Sequence, residues 1–208
     1  MSEIIFVSGI DTDAGKTYAT GIIARRLMAE GKSVITQKFI QTGNTDMSED
    51  ILKHREITGT GLLPEDKARL TAPVIFTYPA SAQLAAKLDG KTIDLDLIDR
   101  CSRQLSERYD TVLVEGAGGL MVPITDDFFT IDYVSSRRLP LILVTNGVLG
   151  SINHTLLSLE AIKSRGIQLR EVVYNTFFDK DKVIAADTTS FIKRYLERNF
   201  IGVKFTTI

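Results

Sequence analysis

The chain has 208 residues, of which 44% are hydrophobic and 25% charged, with a net charge of −1 and one cysteine, Cys101. That length supports a sizeable core in one domain, residues 1–208. The near-neutral balance argues against a bulk nucleic-acid binder, and one cysteine allows neither an internal disulfide nor a multi-cysteine metal cage. The opening Met-Ser-Glu-Ile-Ile-Phe-Val-Ser-Gly lacks the basic start of a secretory signal. No apolar run approaches the ~20 residues of a membrane span, so the expected setting is the cytoplasm, with no membrane partner.

Taken in order, Ile4–Val7 reads as a buried strand, and Lys16–Glu30 as a helix with Ala19, Ile22, Ile23, Leu27 and Met28 on one face and Gly31 at its end. Residues 33–37 are a second strand. Residues 48–58 form a short helix with Ser48 as its N-cap, and residues 43–79 are otherwise irregular. Helices are expected over 81–88 and 95–108, with Cys101 buried in the second. Thr111–Val114 is a strand whose apolar run does not alternate, as in a sheet covered on both faces. Further strands fall at 139–145 and 172–174, and helices at 151–165 and 185–198. Strands separated by helices predict an α/β doubly wound, mainly parallel sheet flanked by helices, which the loop after the first strand makes one of the P-loop NTPase kind.

Between the first strand and first helix lies Gly9-Ile10-Asp11-Thr12-Asp13-Ala14-Gly15-Lys16-Thr17. Backbone N–H groups and a helix start make an anion site there. Lys16 adds a charge near the β- and γ-phosphates of a nucleoside triphosphate, and Thr17 offers a hydroxyl to Mg²⁺. The usual loop has four residues between its glycines; this one has five. Glu115, at the end of the third strand and before Gly116-Ala117-Gly118-Gly119, is the candidate carboxylate facing the metal–phosphate site.

These motifs, with Gln37-Lys38-Phe39-Ile40-Gln41-Thr42-Gly43 and Gly147-Val-Leu-Gly-Ser-Ile-Asn-His154, resemble dethiobiotin synthetase from residue 3 to about residue 176. That family shares the five-residue loop spacing. The resemblance implies an ATP-dependent cyclo-ligase that joins 7,8-diaminopelargonate and CO₂ into dethiobiotin through a phosphorylated carbamate. It implies Lys16, Lys38, Thr12 and Thr42 as catalytic groups around the γ-phosphate and carbamate. It puts the nucleotide on Asp13, Ala14, Gly15, Lys16, Thr17, Tyr18, Glu115, Gly118 and Asn175. Mg²⁺ falls to Thr17, Glu115 and an aspartate, for which Asp50 fits best while Asp46 and Glu49 compete. The substrate falls to Thr42, Ser81, Gly118, Gly119 and Leu120. Its carboxylate is held by Gly150, Ser151, Ile152 and Asn153 at a helix start of the second subunit of a homodimer, a start that Ser151 would otherwise simply cap.

His54, one turn beyond Asp50, is expected on an exposed helix face, and His154 at a helix start or interface. Phe39 stands where the family usually has proline. The chain's last residues, Phe200–Ile208, are read as a truncated end without the family's base-contacting loop, which predicts weak discrimination among nucleoside triphosphates. The rival readings are an amidotransferase-type synthase, for which the chain has no second domain, a partition-type regulatory ATPase, disfavoured by the absence of a second loop lysine and of a basic surface, and a non-catalytic paralogue.

Overall fold

The computed structural model describes residues 2–208. Its main sheet contains six strands, all parallel: β1 (Glu3–Gly9), β2 (Val34–Lys38), β5 (Thr111–Gly119), β6 (Leu141–Asn146), β7 (Leu169–Asn175) and β8 (Lys204–Thr207), in the order β2-β5-β1-β6-β7-β8. A second sheet pairs the two-residue strands β3 (Gln41–Thr42) and β4 (Ile75–Phe76). The helices are α1 (Lys16–Ala29), α2 (Glu49–Thr58), α3 (Pro64–Lys67), α4 (Ala82–Leu88), α5 (Leu95–Ser106), α6 (Thr130–Ser136), α7 (Ser151–Ser164) and α8 (Lys182–Asn199).

The strands read as unbroken apolar runs because both faces of the sheet are covered. Successive side chains still alternate between two cores. Ile5, Val7, Leu113 and Val144 pack with Ala19 and Ile23 of α1. Phe6, Val112, Val114 and Leu143 pack on the other face with Ile98 and Leu105 of α5, Leu159 of α7 and Ile192 of α8. Cys101 is buried within α5.

Three features of this frame aim residues at one sheet end. First, β2 and β5 run in a register that pairs Lys38 with Glu115. Second, β1 and β5 pair evenly up to Val7 and Glu115 and next at Gly9 and Gly119, so residues 116–118 bulge out of the ladder. Third, α2 lies tightly against α1: a Cβ added at Gly21 would come within 2.7 Å of Ile57. Ser48 caps α2 by accepting the Ile51 N–H at 3.2 Å, so Asp50 falls in its first turn.

The structure corrects the reading in several places. The helix expected over 48–58 is α2, but the rest of 43–79 also carries α3 and β4, and α6 and the β3–β4 pair had no signal longer than a few residues. The final segment is not a bare end. Lys204–Thr207 adds a strand beside β7, and the Ile208 carbonyl accepts the Thr176 N–H at 2.9 Å. Ser151 does not cap α7. Gly150 takes the N-cap position at φ 98°, and the Ser151 hydroxyl, buried in the first turn, has no hydrogen-bond partner among the described residues.

Candidate active site

The loop from β1 to α1 folds over the start of α1. Gly15 takes a left-handed conformation, φ 86°, as the helix N-cap, and a Cβ there would run into the Asn175 side-chain amide. Glycine is required at this position on both counts. The contact brings the end of β7 across the phosphate loop. Lys16 bends back, and its Nζ donates to the Asp11 carbonyl at 2.8 Å.

A cleft of about 810 Å³ opens beside this loop. At one end stand Thr12, Lys16, Thr17, Lys38, Thr42, Asp50, Glu115 and Gly118. At the other stand Tyr18, Asn175, Phe177, Phe178 and Ile208. The charged end is a bonded cluster. Lys38 Nζ lies 2.8 Å from Glu115 Oε1 and 2.5 Å from Asp50 Oδ2, and it also donates to the Gly116 carbonyl at 3.2 Å. The Thr17 hydroxyl lies 2.9 Å from Asp50 Oδ1 and 3.0 Å from Glu115 Oε1. One hydroxyl hydrogen faces two carboxylates, so the cluster holds more acceptors than donors on its cleft side. Oxygen donors in that arrangement fit a hard divalent cation such as Mg²⁺.

The electrostatics follow from burial and these contacts. Burial lowers Lys16 to about 8, with the Lys38 charge adding to the effect. Burial pushes Lys38 the same way, but the Glu115 and Asp50 carboxylates outweigh it and hold Lys38 above its ordinary value. Burial would raise Glu115; Lys38 and the His54 hydrogen bond outweigh that and hold it well below the usual carboxylate range. The site therefore keeps a charged lysine and a charged glutamate together out of water.

Comparison with known proteins agrees with this geometry. A family model described as an AAA domain matches residues 3–203. The ATP-dependent dethiobiotin synthetase BioD 2 of Pasteurella multocida is 50% identical over 198 residues, 95% of this chain and 93% of the relative. That of Haemophilus ducreyi is 49% identical over 205 residues, 99% and 97%. The dethiobiotin synthetase BioD of Chlorobaculum tepidum is 46% identical over 200 residues, 96% and 84%. The chain belongs to the dethiobiotin synthetase family.

The family's enzymes are ATP-dependent ligases, and the phosphate loop supplies the matching nucleotide cradle. Among solved structures, the pNOB8 ParA bound to nonspecific DNA superposes with a TM-score of 0.57 at 19% identity, covering 97% of this chain and 77% of that one. At that identity the likeness is one of fold: a P-loop NTPase sheet.

Most residues that the dethiobiotin synthetase resemblance singled out are brought together. Thr12, Asp13, Gly15, Lys16, Thr17, Tyr18, Lys38, Thr42, Asp50, Glu115, Gly118 and Asn175 all line the cleft; Ala14 is buried inside the loop. Of the three competing acids, Asp50 touches Thr17 and Lys38, whereas Asp46 is exposed and paired with Arg69 at 2.7 Å. Ser81 does not reach the cleft; it is the exposed N-cap of α4. Gly119 and Leu120 line a separate groove of about 390 Å³, with Ile10, Asp11, Val122 and His154. Gly150, Ser151, Ile152 and Asn153 line neither. His154 lies within α7, 4.0 Å from Asp11.

Two groups were misread or missed. His54 is fully buried, not on an exposed face: its Nε2 lies 2.7 Å from Glu115 Oε2. The spacing from Asp50 held the signal, because residues four apart share a helix face, and the face that delivers Asp50 to Lys38 faces the sheet. The aromatic pair Phe177–Phe178, after Asn175, had no sequence reading. It forms a 3₁₀ turn in which the Asn175 Oδ1 accepts the Phe177 N–H at 3.0 Å.

Proposed function

We propose that this cleft performs the ring closure that the family resemblance implies, within one P-loop domain acting in the cytoplasm. ATP lies with its phosphates in the loop over Lys16 and its base between Asn175 and the Phe177–Phe178 turn. A carbamate made from CO₂ and one amine of 7,8-diaminopelargonate lies beside Lys38. Thr17, Asp50 and Glu115 hold Mg²⁺, which when bound neutralises phosphate charge. The γ-phosphoryl moves to the carbamate oxygen, breaking its bond to the β-phosphate oxygen and releasing ADP. The second amine then attacks the activated carbonyl, and phosphate departs as the urea ring closes.

Phosphoryl transfer of this kind needs positioning and charge stabilisation more than covalent help from the protein. Lys16 and Lys38 flank the transfer path, one towards the phosphates and one towards the anionic carbamate. Thr12 and Thr42 donate hydroxyl hydrogen bonds to the same oxygens. The supporting observation is the convergence of Lys38, Asp50 and Glu115 within 2.8 Å contacts at the mouth of a phosphate loop. A loop that only held a nucleotide would not need a buried lysine opposite it.

The substrate chain runs past Gly118 towards the groove of Gly119 and Leu120, and its carboxylate meets Gly150–Asn153 of a second subunit. Exposed Val148 and Leu149 beside that helix start support an interface there. The test is incorporation of labelled bicarbonate. Acid-stable label is expected only with ATP, Mg²⁺ and the diamine together; label fixed without the diamine contradicts the reading.

A further inference from the structure

Behind the carboxylate cluster runs a buried hydrogen-bond chain that the reaction itself does not use. Glu115 spends Oε1 on Lys38 and Thr17, at 2.8 and 3.0 Å, and Oε2 on His54 Nε2 at 2.7 Å. His54 Nδ1 lies 3.0 Å from Thr36 Oγ1. That hydroxyl accepts from Arg55 Nη1 at 2.9 Å. Arg55 is fixed in turn by a two-pronged bond to Asp66, Nε to Oδ2 and Nη2 to Oδ1, each 2.8 Å. His54, Arg55, Asp66 and Thr36 are all buried.

Two of the donors in this chain follow from their partners alone. Glu115 Oε2 is an acceptor, so His54 Nε2 carries the hydrogen. Arg55 can only donate, so it occupies a lone pair of Thr36 Oγ1. Thr36 Oγ1 then meets Nδ1 with its own hydrogen or its second lone pair, and either contact fixes the ring. Arg55 thus sets the Thr36 hydroxyl, Thr36 sets the ring, and the ring sets the Glu115 carboxylate plane. Each side chain comes from a rigid element: Thr36 from β2, two residues before Lys38, His54 and Arg55 from α2, and Glu115 from β5.

We infer that His54 is a positioning residue that holds Glu115 in the orientation its cleft-side oxygen needs to take a divalent cation. The inference rests on the assignment of Thr17, Asp50 and Glu115 as the cation's ligands. Partners that orient a ligating carboxylate from behind are worth ~10–100-fold in metal affinity. Without His54, Oε2 loses its partner and the carboxylate turns about its terminal bond towards Lys38.

The test compares His54→Gln with His54→Asn. A glutamine amide reaches the place of Nε2 and keeps the donor to Glu115; an asparagine amide reaches only the place of Nδ1. Mn²⁺ is titrated into each protein carrying one equivalent of ADP, and free Mn²⁺ is read by its electron paramagnetic resonance signal. Melting temperature and ADP affinity in chelator are measured alongside. The expected result is His54→Gln within about threefold of the parent and His54→Asn about tenfold weaker for Mn²⁺, with ADP affinity in chelator unchanged in both. A packing role would lower both melting temperatures and leave Mn²⁺ affinity alike in the two variants; that result, or the reverse order, overturns the inference. Glu115→Gln keeps the two readings apart. If it binds Mn²⁺ as the parent does, the ligand assignment itself fails. If it is weakened while both His54 variants bind normally, only the role of His54 fails.

Discussion

At one end of the cleft Lys16, Lys38, Glu115 and His54 are buried and bonded to one another or to backbone; at the other Phe177 stands 84% exposed beside Phe178 and Ile208. The charged end draws on four elements, β2, β5, α1 and α2, each fixed by the packing of the sheet. The aromatic end takes Tyr18 from α1 and Asn175 from β7, but its rings Phe177 and Phe178 hang on one 3₁₀ turn beside Ile208. The contrast teaches where this protein invests its order. In the proposed reading, geometry is set in advance where charge moves, and contact is left tolerant where a flat base has only to be covered. Preorganised charge in a dry site is the largest catalytic contribution in most enzymes, whereas base stacking on an aromatic face depends little on which base it is.

Lys38→Ala would break this contrast most severely. Turnover is expected to fall by about three orders of magnitude or more, with ATP affinity within a few-fold of the parent. Removing one member of a buried pair also costs ~3–5 kcal/mol of stability, so a melting curve accompanies the kinetics. Unchanged turnover would remove Lys38 from the reaction. Asp50→Asn is expected to raise the Mg²⁺ concentration needed for half-maximal rate by at least the ~10–100-fold that loss of an outer-shell partner costs, since a ligand itself is weakened while Thr17 and Glu115 remain. An unshifted Mg²⁺ response would take Asp50 out of the cation site.

The charged end is legible in the sequence for a simple reason. Gly9–Thr17, Lys38 and Glu115 sit at strand ends, and a parallel sheet brings strand ends to one edge whatever the detailed packing. Asp50 needed more, since only the Ser48 cap and the tilt of α2 against α1 choose it over Asp46. His54 was misread because the exposed, paired Lys53 and Glu56 beside it suggest an outward face, and only its spacing from Asp50 points inward. Thr36 and Asp66, which complete its surroundings, lie far apart in the chain. The aromatic end was harder still. β8 is four residues long, lies at a sheet edge and buries little, so its apolar pattern is weak, and its effect on the cleft arises only from pairing with β7.

A pH series sharpens the comparison at intermediate scale. With Lys16 lowered to about 8 by burial and by Lys38, the nucleotide-free protein loses that proton as pH rises through 8, and bound phosphates restore it. ATP affinity should therefore fall with rising pH above 8, by up to about tenfold per unit, and binding at pH 9 should take up about one proton. Stability of the nucleotide-free protein runs the other way. Burying the charged amine is unfavourable below pH 8, so its contribution improves as pH rises from 8 towards the ordinary lysine value. Calorimetry in buffers of different ionisation enthalpy reads the uptake; pH-independent affinity between 7.5 and 9.5 would contradict it.

The smallest effect belongs to the base. Asn175 spends its carbonyl oxygen on Phe177, leaving its amide as the donor. Competing triphosphates are expected to bind within about tenfold of ATP, and Phe177→Ala to weaken all of them by about fivefold. A strong preference for ATP that Phe177→Ala leaves intact would show that the base is read by hydrogen bonds.

The central claim is that the charged end acts on a carbamate that the diamine provides. Its most direct measure is the steady-state rate of ADP release from Mg-ATP and bicarbonate, with and without 7,8-diaminopelargonate. Release is expected to depend on the diamine and to saturate with it; release at the same rate in its absence would rule out a carbamate acceptor at this site.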